Sequence, residues 1–347
     1  MSKFHLVKIT PRWPVALGLA LVLAACGGVE PDDGSGGSSG SGGSATGGGN
    51  DGAGGTSDGG SGAASGGSGA VDVQPFRRRI QAHGDMACVI EQSGEVLCWT
   101  RSTTGRPLDG TFVEVSVNGI VGTSQLVCGV RTDGTISCAG AGSPGSDNIK
   151  DGIPGHTDFV HVGVTVDPAA CGVRAGGEVA CWGVGGIEGT APATGEFDAL
   201  ANGLGHICGL AVGKLPVCWG FFDSSYVAPT RADRIDGNWN AWCGLDGDLI
   251  LCERENDLPV GWTSIPGATQ IGHGGGSGCV LDAQGALTCW SALGTLRTNL
   301  PEESARFVEV AVGEYFACGI ASTGLVRCWG ELDDGREAIV PREIRVF

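Results

Sequence analysis

The sequence has few positively charged residues, and this scarcity excludes one broad class of partner. Lysine and arginine together number 21 against 38 acidic residues, charged residues make up 17% of the chain, and the formal net charge is −17. Proteins that bind nucleic acid neutralise its phosphates with clustered Lys and Arg. The only basic cluster here is Arg77 to Arg79. We therefore exclude nucleic acid as a partner.

The sequence also lacks the short motifs of common active sites. It has no Gly-x-Ser-x-Gly elbow or His-Glu-x-x-His motif in a setting that supports catalysis. The Gly-rich stretches 185–190 and 271–278 have neither dinucleotide-binding spacing nor the lysine of a phosphate loop, so we interpret them as turns. His83, His206 and His273 precede their nearest cysteines at unequal offsets, which disfavours a metal cluster. We expect no enzyme activity, no cofactor and no metal.

No apolar run in the sequence is long enough for a mature helix that spans a bilayer, which needs about 20 residues. The nearest candidate is residues 15–25, which follow the basic residues Lys3, Lys8 and Arg12. A short apolar run behind a positive N-terminus is typical of a secretory signal peptide. We therefore predict that the protein is exported.

The end of this run carries a more specific signal. Leu23, Ala24, Ala25 and Cys26 resemble the lipobox of bacterial lipoproteins. The resemblance implies that residues 1–26 are a lipoprotein signal peptide, that Cys26 is lipidated, and that the lipid is the protein's only contact with the membrane. Several acyl chains anchor a protein stably where one chain does not. Gly27, where an aspartate would act as a retention signal, implies passage to the outer membrane and a location there or on the cell surface.

Residues 27–74 differ in composition from everything that follows. They are dominated by Gly, Ser, Ala and Asp and contain no aromatic residue. Such a segment cannot bury enough apolar surface to offset the entropy lost on ordering. A Gly/Ser chain of about 45 residues has a root-mean-square reach of roughly 35–40 Å. We predict a disordered linker that holds the rest of the protein away from a membrane surface.

Cysteine and glycine are abundant, at 15 and 65 residues, and the cysteines reveal a repeat. Residues 75–347 contain seven cysteine pairs, whose first members are 40, 43, 37, 35, 36 and 39 residues apart. This period is typical of propeller blades. The pairs are Cys88 with Cys98, Cys128 with Cys138, Cys171 with Cys181, Cys208 with Cys218, Cys243 with Cys252, Cys279 with Cys289, and Cys318 with Cys328.

Each pair flanks a predicted β-hairpin. Five units have glycine six positions after the first cysteine, where a hairpin loop needs a left-handed residue. The unit of Cys208 has Gly213 one position early, and the shorter unit of Cys243 can close with a two-residue turn at Gly247 and Asp248. The two cysteines of a unit then lie opposite each other on one face, which favours a disulfide in an oxidising compartment. Zinc is the alternative, but tetrahedral sites need two hairpins each and seven is odd.

Further strands accompany each hairpin. Short apolar segments begin at Phe112, Phe159, Phe197 and Phe307, before the cysteine pairs, and several units continue with tryptophan directly after the second cysteine. Together with a variable segment, these strands make about four per unit, which corresponds to one blade. We predict an all-β fold, a seven-bladed β-propeller over residues 75–347, and a monomer.

The stretch GLGHICGLAVGKLPVCWG, residues 203–220, resembles the repeat of the regulator of chromosome condensation family, in particular its cysteine-containing bacterial members. The resemblance extends over residues 75–347 in period and hairpin signature. It implies a propeller that binds a protein partner through a face of loops. The family's usual Asn-x-x-Gly-Gln-Leu-Gly is absent after the tryptophan, and the histidine that recurs before the hairpin is present only as His206. No functional residue is therefore carried over.

Three classes of function remain open: a tethered protein-binding module, which we favour, a carbohydrate-binding or adhesive module, and an enzyme whose site is built from several blades. Glu114 and Glu309 occupy matching positions between apolar residues, so we expect them to point away from the core and not to act as a catalytic pair.

The connections between hairpins vary in length, and loops on a rigid scaffold usually carry binding. One candidate connection, residues 220–242, contains the aromatic and arginine types that dominate interface hot spots. We predict that Tyr226 and Arg231 bind the partner, and that Phe221 and Trp239 are as well suited to packing inside a blade as to binding.

Overall fold

A computed structural model of the chain shows the fold. The structure describes residues 77–100, 102–119, 125–141, 149–166, 168–183, 187, 191–192, 196–203, 205–211, 215–220, 223–228, 230–238, 241–252, 264–291, 300–330, 338 and 340–347. The predicted signal peptide, the lipobox cysteine Cys26 and the linker lie outside these residues.

In the described residues, 23 strands form seven antiparallel sheets, which are the seven blades of a β-propeller. Blades 1 and 4 have the predicted four strands, and each of the others has three in the described residues. Blades 1 to 4 are β1 (Ile80–His83), β2 (Met86–Ile90), β3 (Val96–Trp99), β4 (Thr104–Gly105); β5 (Phe112–Gly119), β6 (Gln125–Arg131), β7 (Ile136–Ala141); β8 (Phe159–Val164), β9 (Ala169–Arg174), β10 (Val179–Gly183); β11 (Ala199–Asn202), β12 (His206–Leu210), β13 (Val217–Gly220), β14 (Asp223–Val227). Blades 5 to 7 are β15 (Arg234–Asn238), β16 (Ala241–Asp246), β17 (Leu249–Cys252); β18 (Ala268–Gly274), β19 (Ser277–Asp282), β20 (Leu287–Ser291); β21 (Phe307–Val312), β22 (Phe316–Ala321), β23 (Val326–Gly330). No helix in this part of the chain is long and apolar enough to cross a bilayer.

The hairpin turns have the conformations that the sequence predicts. The glycine six positions after the first cysteine has a φ between +75° and +86° in all five units that carry it: Gly94, Gly134, Gly177, Gly285 and Gly324. At Gly134 a side chain would also collide with the following connection, because a Cβ atom would lie 2.2 Å from the carbonyl oxygen of Thr157. In blade 5, Asp246 pairs with Leu249, which leaves Gly247 and Asp248 as the predicted two-residue turn.

Each of the seven predicted cysteine pairs is joined by a disulfide in the structure, with Cα–Cα distances of 3.9–4.1 Å. In every hairpin the two cysteines are direct cross-strand partners. All seven first cysteines are fully buried, and the second cysteines are at most partly exposed. Each bridge therefore fixes the register of one hairpin from inside the core.

The core consists of seven apolar clusters, each between two neighbouring blades. The disulfide of one blade faces the next blade, because residues along a strand alternate between the two sheet faces. The neighbouring tryptophan faces the previous blade. Trp182 of blade 3, for example, packs in one cluster with Cys128 and Cys138 of blade 2. A disulfide from one blade and an indole from the next thus share an interface.

The inner strands are neighbours in chain order around the axis, and β1 contacts β21, so the ring is closed between blades 7 and 1. Arg345 and Val346 form backbone hydrogen bonds with both blades at this junction. The Val346 N–H donates to the Gly324 carbonyl at 2.9 Å, as the Phe307 N–H does to Gly285 one blade earlier at 2.8 Å. The carbonyl of Arg345 accepts from the Gln92 N–H of blade 1 at 3.0 Å. The last residues therefore take the place that the start of an inner strand takes elsewhere.

Candidate functional site

The two residues that the sequence predicts as binding residues lie in a strand and in the connection that follows it. Tyr226 lies in β14, where its backbone pairs with Cys218 of β13, and its side chain is outside the described part of the structure. Arg231 is exposed in the connection that leads to β15. Phe221 and Trp239 lie outside the described residues. Exposure of Arg231 agrees with a binding role, which remains a prediction.

Glu114 and Glu309 do not point away from the core, so that expectation is wrong. Both are buried, at 0% and 2% exposure. Glu309 Oε1 accepts hydrogen bonds from the backbone N–H groups of Arg79 at 2.6 Å and Ile80 at 2.9 Å, across the closure of the ring. Glu114 Oε1 lies 2.6 Å from Nδ1 of His161 in the next blade. Neighbouring blades cover both faces of an inner strand in a propeller. Each of these carboxyl groups therefore joins two blades, and the two do not form a catalytic pair.

A buried arginine crosses the centre of the ring. Arg78 precedes β1 in blade 1, and its Nη2 donates to the carbonyl oxygens of Leu200 in blade 4 at 2.6 Å and Ile235 in blade 5 at 3.3 Å. The same nitrogen lies 3.7 Å from Oδ1 of Asp236. Arg78 and Asp236 are 6% and 5% exposed. The guanidinium therefore connects blades on opposite sides of the axis.

Burial shifts the pKa values of Asp236, which lies beside this arginine, and of His273, whose backbone contacts Asp236. Burial raises the pKa of Asp236, and the positive charge of Arg78 partly opposes that rise. The Asp236 carboxylate also accepts the backbone N–H of His273 at 2.9 Å. Burial lowers the pKa of His273 to about 4, so its imidazole is neutral at physiological pH. The charge that the structure places beside Asp236 is therefore that of Arg78.

Amide side chains join blades 2 and 4 near the axis. Asn202 of blade 4 donates to Ser116 Oγ at 2.9 Å and to the Val117 carbonyl at 3.2 Å, both in blade 2. Asn118 of blade 2 donates to the Gly203 carbonyl of blade 4 at 3.0 Å. Asn118 and Asn202 are each 1% exposed or less. Protein side chains therefore occupy this part of the axis, and their polar groups serve contacts between blades.

An open cavity of about 310 Å³ lies between blades 1 and 2. Its floor is largely apolar and buried, and its mouth is formed by exposed residues of the β3–β4 hairpin. The lining residues are Met86, Cys98, Trp99, Thr100, Thr103, Thr104, Gly105, Arg106, Pro107, Gln125, Val127, Ala139 and Gly140. A concave, mostly apolar site with a few polar groups at its edge is typical of ligand and anchor sites. This cavity is our candidate functional site.

This site is not among the sequence predictions, although a signal for it is present in the sequence. The second hairpin ends in Cys-Ala-Gly at residues 138–140, where five of the other six hairpins end in Cys-Trp or Cys-Trp-Gly. A small residue at a position that is elsewhere large predicts a gap in packing. Without the fold, nothing indicates that blade 1 forms the other wall.

The family model described as the regulator of chromosome condensation (RCC1) repeat matches residues 307–336. This region begins with β21 and includes all three described strands of blade 7. The match agrees with the resemblance that the hairpin sequences indicate. The chain therefore carries RCC1-like repeats.

Solved structures with a similar fold come from several organisms. The ectodomain of the receptor kinase CR4 from Physcomitrella patens is 25% identical with a TM-score of 0.51, and the alignment covers 62% of this chain and 63% of that one. The CRINKLY WD40 ectodomain of ACR4 from Arabidopsis thaliana is 23% identical with a TM-score of 0.49, covering 64% and 86%. Prp20p from Saccharomyces cerevisiae is 13% identical with a TM-score of 0.41, covering 77% and 76%. This chain thus spans less than two thirds of the Physcomitrella ectodomain.

Proposed function

We propose that this protein is an exported, lipid-anchored module that binds another protein through the exposed surface of its propeller. The proposal rests on the observation that the buried polar side chains near the axis hold the blades together. Arg78, Glu114, Asn202, Asp236 and Glu309 make contacts between blades. They form a rigid frame and present no open reactive group. Recognition therefore falls to exposed connections and to the open cavity between blades 1 and 2.

The tryptophans disfavour the alternative of a carbohydrate-binding or adhesive module, which needs exposed aromatic platforms. The six described tryptophans are buried, with exposed fractions between 0% and 6%: Trp99, Trp182, Trp219, Trp242, Trp290 and Trp329. These indoles pack between blades and cannot stack on a sugar. An enzyme site built from several blades remains the other alternative, and no observation in the described residues favours it.

Export and anchoring are supported by two features of the chain. Seven disulfides are expected of a protein that folds in an oxidising compartment. The lipobox-like residues end at Cys26, and a long Gly/Ser linker separates them from the propeller. We place the propeller on a tether at the outer membrane, where it can reach a partner.

Substitution of the lipobox cysteine tests the anchor. We expect the wild-type chain to partition into the detergent phase and Cys26→Ser to lose that partitioning, because the thiol is the acceptor of the lipid. Membrane fractionation and detergent-phase extraction measure the effect. Cys318→Ala/Cys328→Ala is the matched control, because it removes cysteines that belong to the propeller. Retention of Cys26→Ser with the membrane as strongly as wild type would contradict the anchor.

Capture from envelope extract tests the interaction function. With a tag at the N-terminus of its soluble propeller domain, the exported chain is expected to retain a specific protein, which is then identified and titrated. If the predicted hot spots contribute, Tyr226→Ala and Arg231→Ala each weaken binding by about tenfold, which corresponds to ~1.4 kcal/mol, without lowering the Tm. Arg306→Ala, at an exposed arginine in the connection before blade 7, is the control. Absence of any saturable partner would contradict the proposal.

A further inference from the structure

The interface between blades 1 and 2 breaks a rule that the other six interfaces follow. In those six, the cluster between two blades contains the disulfide of the first blade and a tryptophan of the second. The cluster between blades 1 and 2 contains Cys88 and Cys98 of blade 1 but no tryptophan. In its place, Ala139 of blade 2 packs against the cluster.

Blade 5 also places an indole at its interface with the previous blade, although its tryptophan occupies a different position in the hairpin. Five blades carry the tryptophan directly after the second cysteine, at Trp99, Trp182, Trp219, Trp290 and Trp329. Blade 5 instead carries it directly before the first cysteine, at Trp242. In the other hairpins these two positions are direct cross-strand partners, as Ile207 and Trp219 are in blade 4. Trp242 is 2% exposed and packs with the disulfide of blade 4. The indole of blade 5 therefore comes from the other strand of the hairpin but lies in the equivalent interface.

Blade 2 has no tryptophan at either position. The cross-strand partners there are Val127 and Ala139. The cavity of about 310 Å³ is lined by both of these residues and by Cys98 of the neighbouring disulfide. The open space therefore lies at the register position that an indole occupies in blades 1, 3, 4, 6 and 7.

The lining suits an aromatic ring that enters from outside. Met86, Cys98 and Val127 provide apolar and sulfur contacts for a ring face. Thr100, Thr103 and Gln125 provide polar atoms that could receive an indole N–H near the mouth. An apolar cavity of about 150 Å³ can bind benzene, so the larger volume here accommodates a bicyclic ring.

We propose that the cavity between blades 1 and 2 is the anchor site for an aromatic side chain of the protein partner, which supplies from outside the ring that this interface lacks. This inference rests on the proposed interaction function and specifies its chemistry. Aromatic anchors in pockets at the centre of an interface carry most of the affinity in many complexes. The partner's ring would complete a packing pattern that the fold repeats six times.

Free indole tests the cavity without any partner. Wild-type full chain is expected to bind indole saturably with a Kd on the order of 1 mM, as measured by protein-observed NMR titration. Ala139→Trp places an indole in the cavity from within, so binding should weaken at least tenfold and the Tm should rise by about 3–6 °C. Ala139→Ser leaves the cavity open and should bind as wild type does. If Ala139→Trp does not fold, Ala139→Leu blocks part of the same space and should weaken binding.

Two results of the indole titration would overturn the assignment. One is the absence of saturable binding to the wild-type chain. The other is equal indole affinity of the wild type and the folded blocking variant, because the ring would then bind elsewhere. Neither result contradicts the proposed interaction function, because no partner takes part in this experiment.

Binding of the captured partner tests whether an aromatic side chain of that partner occupies the cavity. We expect saturating indole to displace the partner, and the Ala139→Trp chain to bind it at least tenfold more weakly than the Ala139→Ser chain does. Equal binding by the two variants would overturn the aromatic anchor while leaving the interaction function intact. Failure to capture any partner, with indole binding intact, would contradict the proposed function and with it the assignment of the occupant.

Discussion

Reduction of the disulfides is expected to unfold the propeller at 25 °C under conditions in which the oxidised protein is stable. Each bridge closes a loop with a sequence separation of 9 or 10 residues. In the chain-entropy model each contributes about 2.5–3 kcal/mol, and less where a hairpin persists in the unfolded chain. Even at half that value, seven bridges together contribute about 9–10 kcal/mol, which is comparable with the ~5–15 kcal/mol that stabilises a typical protein. Tryptophan fluorescence should report the loss, because the described indoles pack beside disulfides.

A single missing bridge provides the matched control. Cys318→Ala/Cys328→Ala removes one bridge in blade 7 and should lower the free energy of unfolding by about 2–4 kcal/mol, with the fold retained. Because this pair lies at the closure between blades 7 and 1, near-UV circular dichroism can check that the ring stays intact. A fully reduced chain that keeps its Tm within a few degrees of the oxidised protein would show that packing alone holds the blades.

Loss of the buried arginine at the axis is expected to be the most destabilising single substitution in the central polar network. Arg78→Met removes the hydrogen bonds to blades 4 and 5 and leaves Asp236 buried without its positive neighbour. Breaking a buried pair by removing one partner typically costs about 3–5 kcal/mol. Protonation of Asp236 limits the cost, because burial already raises the pKa of this carboxyl group. Chemical denaturation of the oxidised chain measures the change.

A double-mutant cycle separates the charge pair from the general effect of a core substitution. Asp236→Asn in the Arg78→Met background should recover part of the loss, with a coupling free energy of about 1–3 kcal/mol between the two sites. Arg306→Met is the control, because Arg306 is exposed and donates only to carbonyl groups of its own connection, and it should change stability by less than about 0.5 kcal/mol. Additive effects of the two core substitutions would contradict the pairing across the axis.

The hairpins and their disulfides could be predicted from the sequence because they depend on local information. Ten residues of alternating pattern, with a glycine at the αL position, are sufficient to set the register of one hairpin. The number of blades follows from counting the repeats. The inner strands that begin at Phe112, Phe159 and Phe307 were identified in the same way, from segments that precede each cysteine pair.

The centre of the ring could not be predicted in this way, because its contacts join residues that are far apart in the chain. Arg78 meets carbonyl groups 122 and 157 positions away. The expectation for Glu114 and Glu309 was wrong for a related reason. It assumed that one face of each inner strand is solvated, whereas neighbouring blades cover both faces and supply hydrogen-bond donors to the carboxyl groups. Local periodicity carries no information about what covers the second face.

Peptide mapping of the oxidised protein under non-reducing conditions tests whether seven self-contained blades, each with its own disulfide, form the frame on which binding takes place. We predict seven linkages, each between the two cysteines of one hairpin from Cys88–Cys98 to Cys318–Cys328, and no free thiol in the propeller. Linkages between cysteines of different blades, or unpaired cysteines among the fourteen, would contradict it.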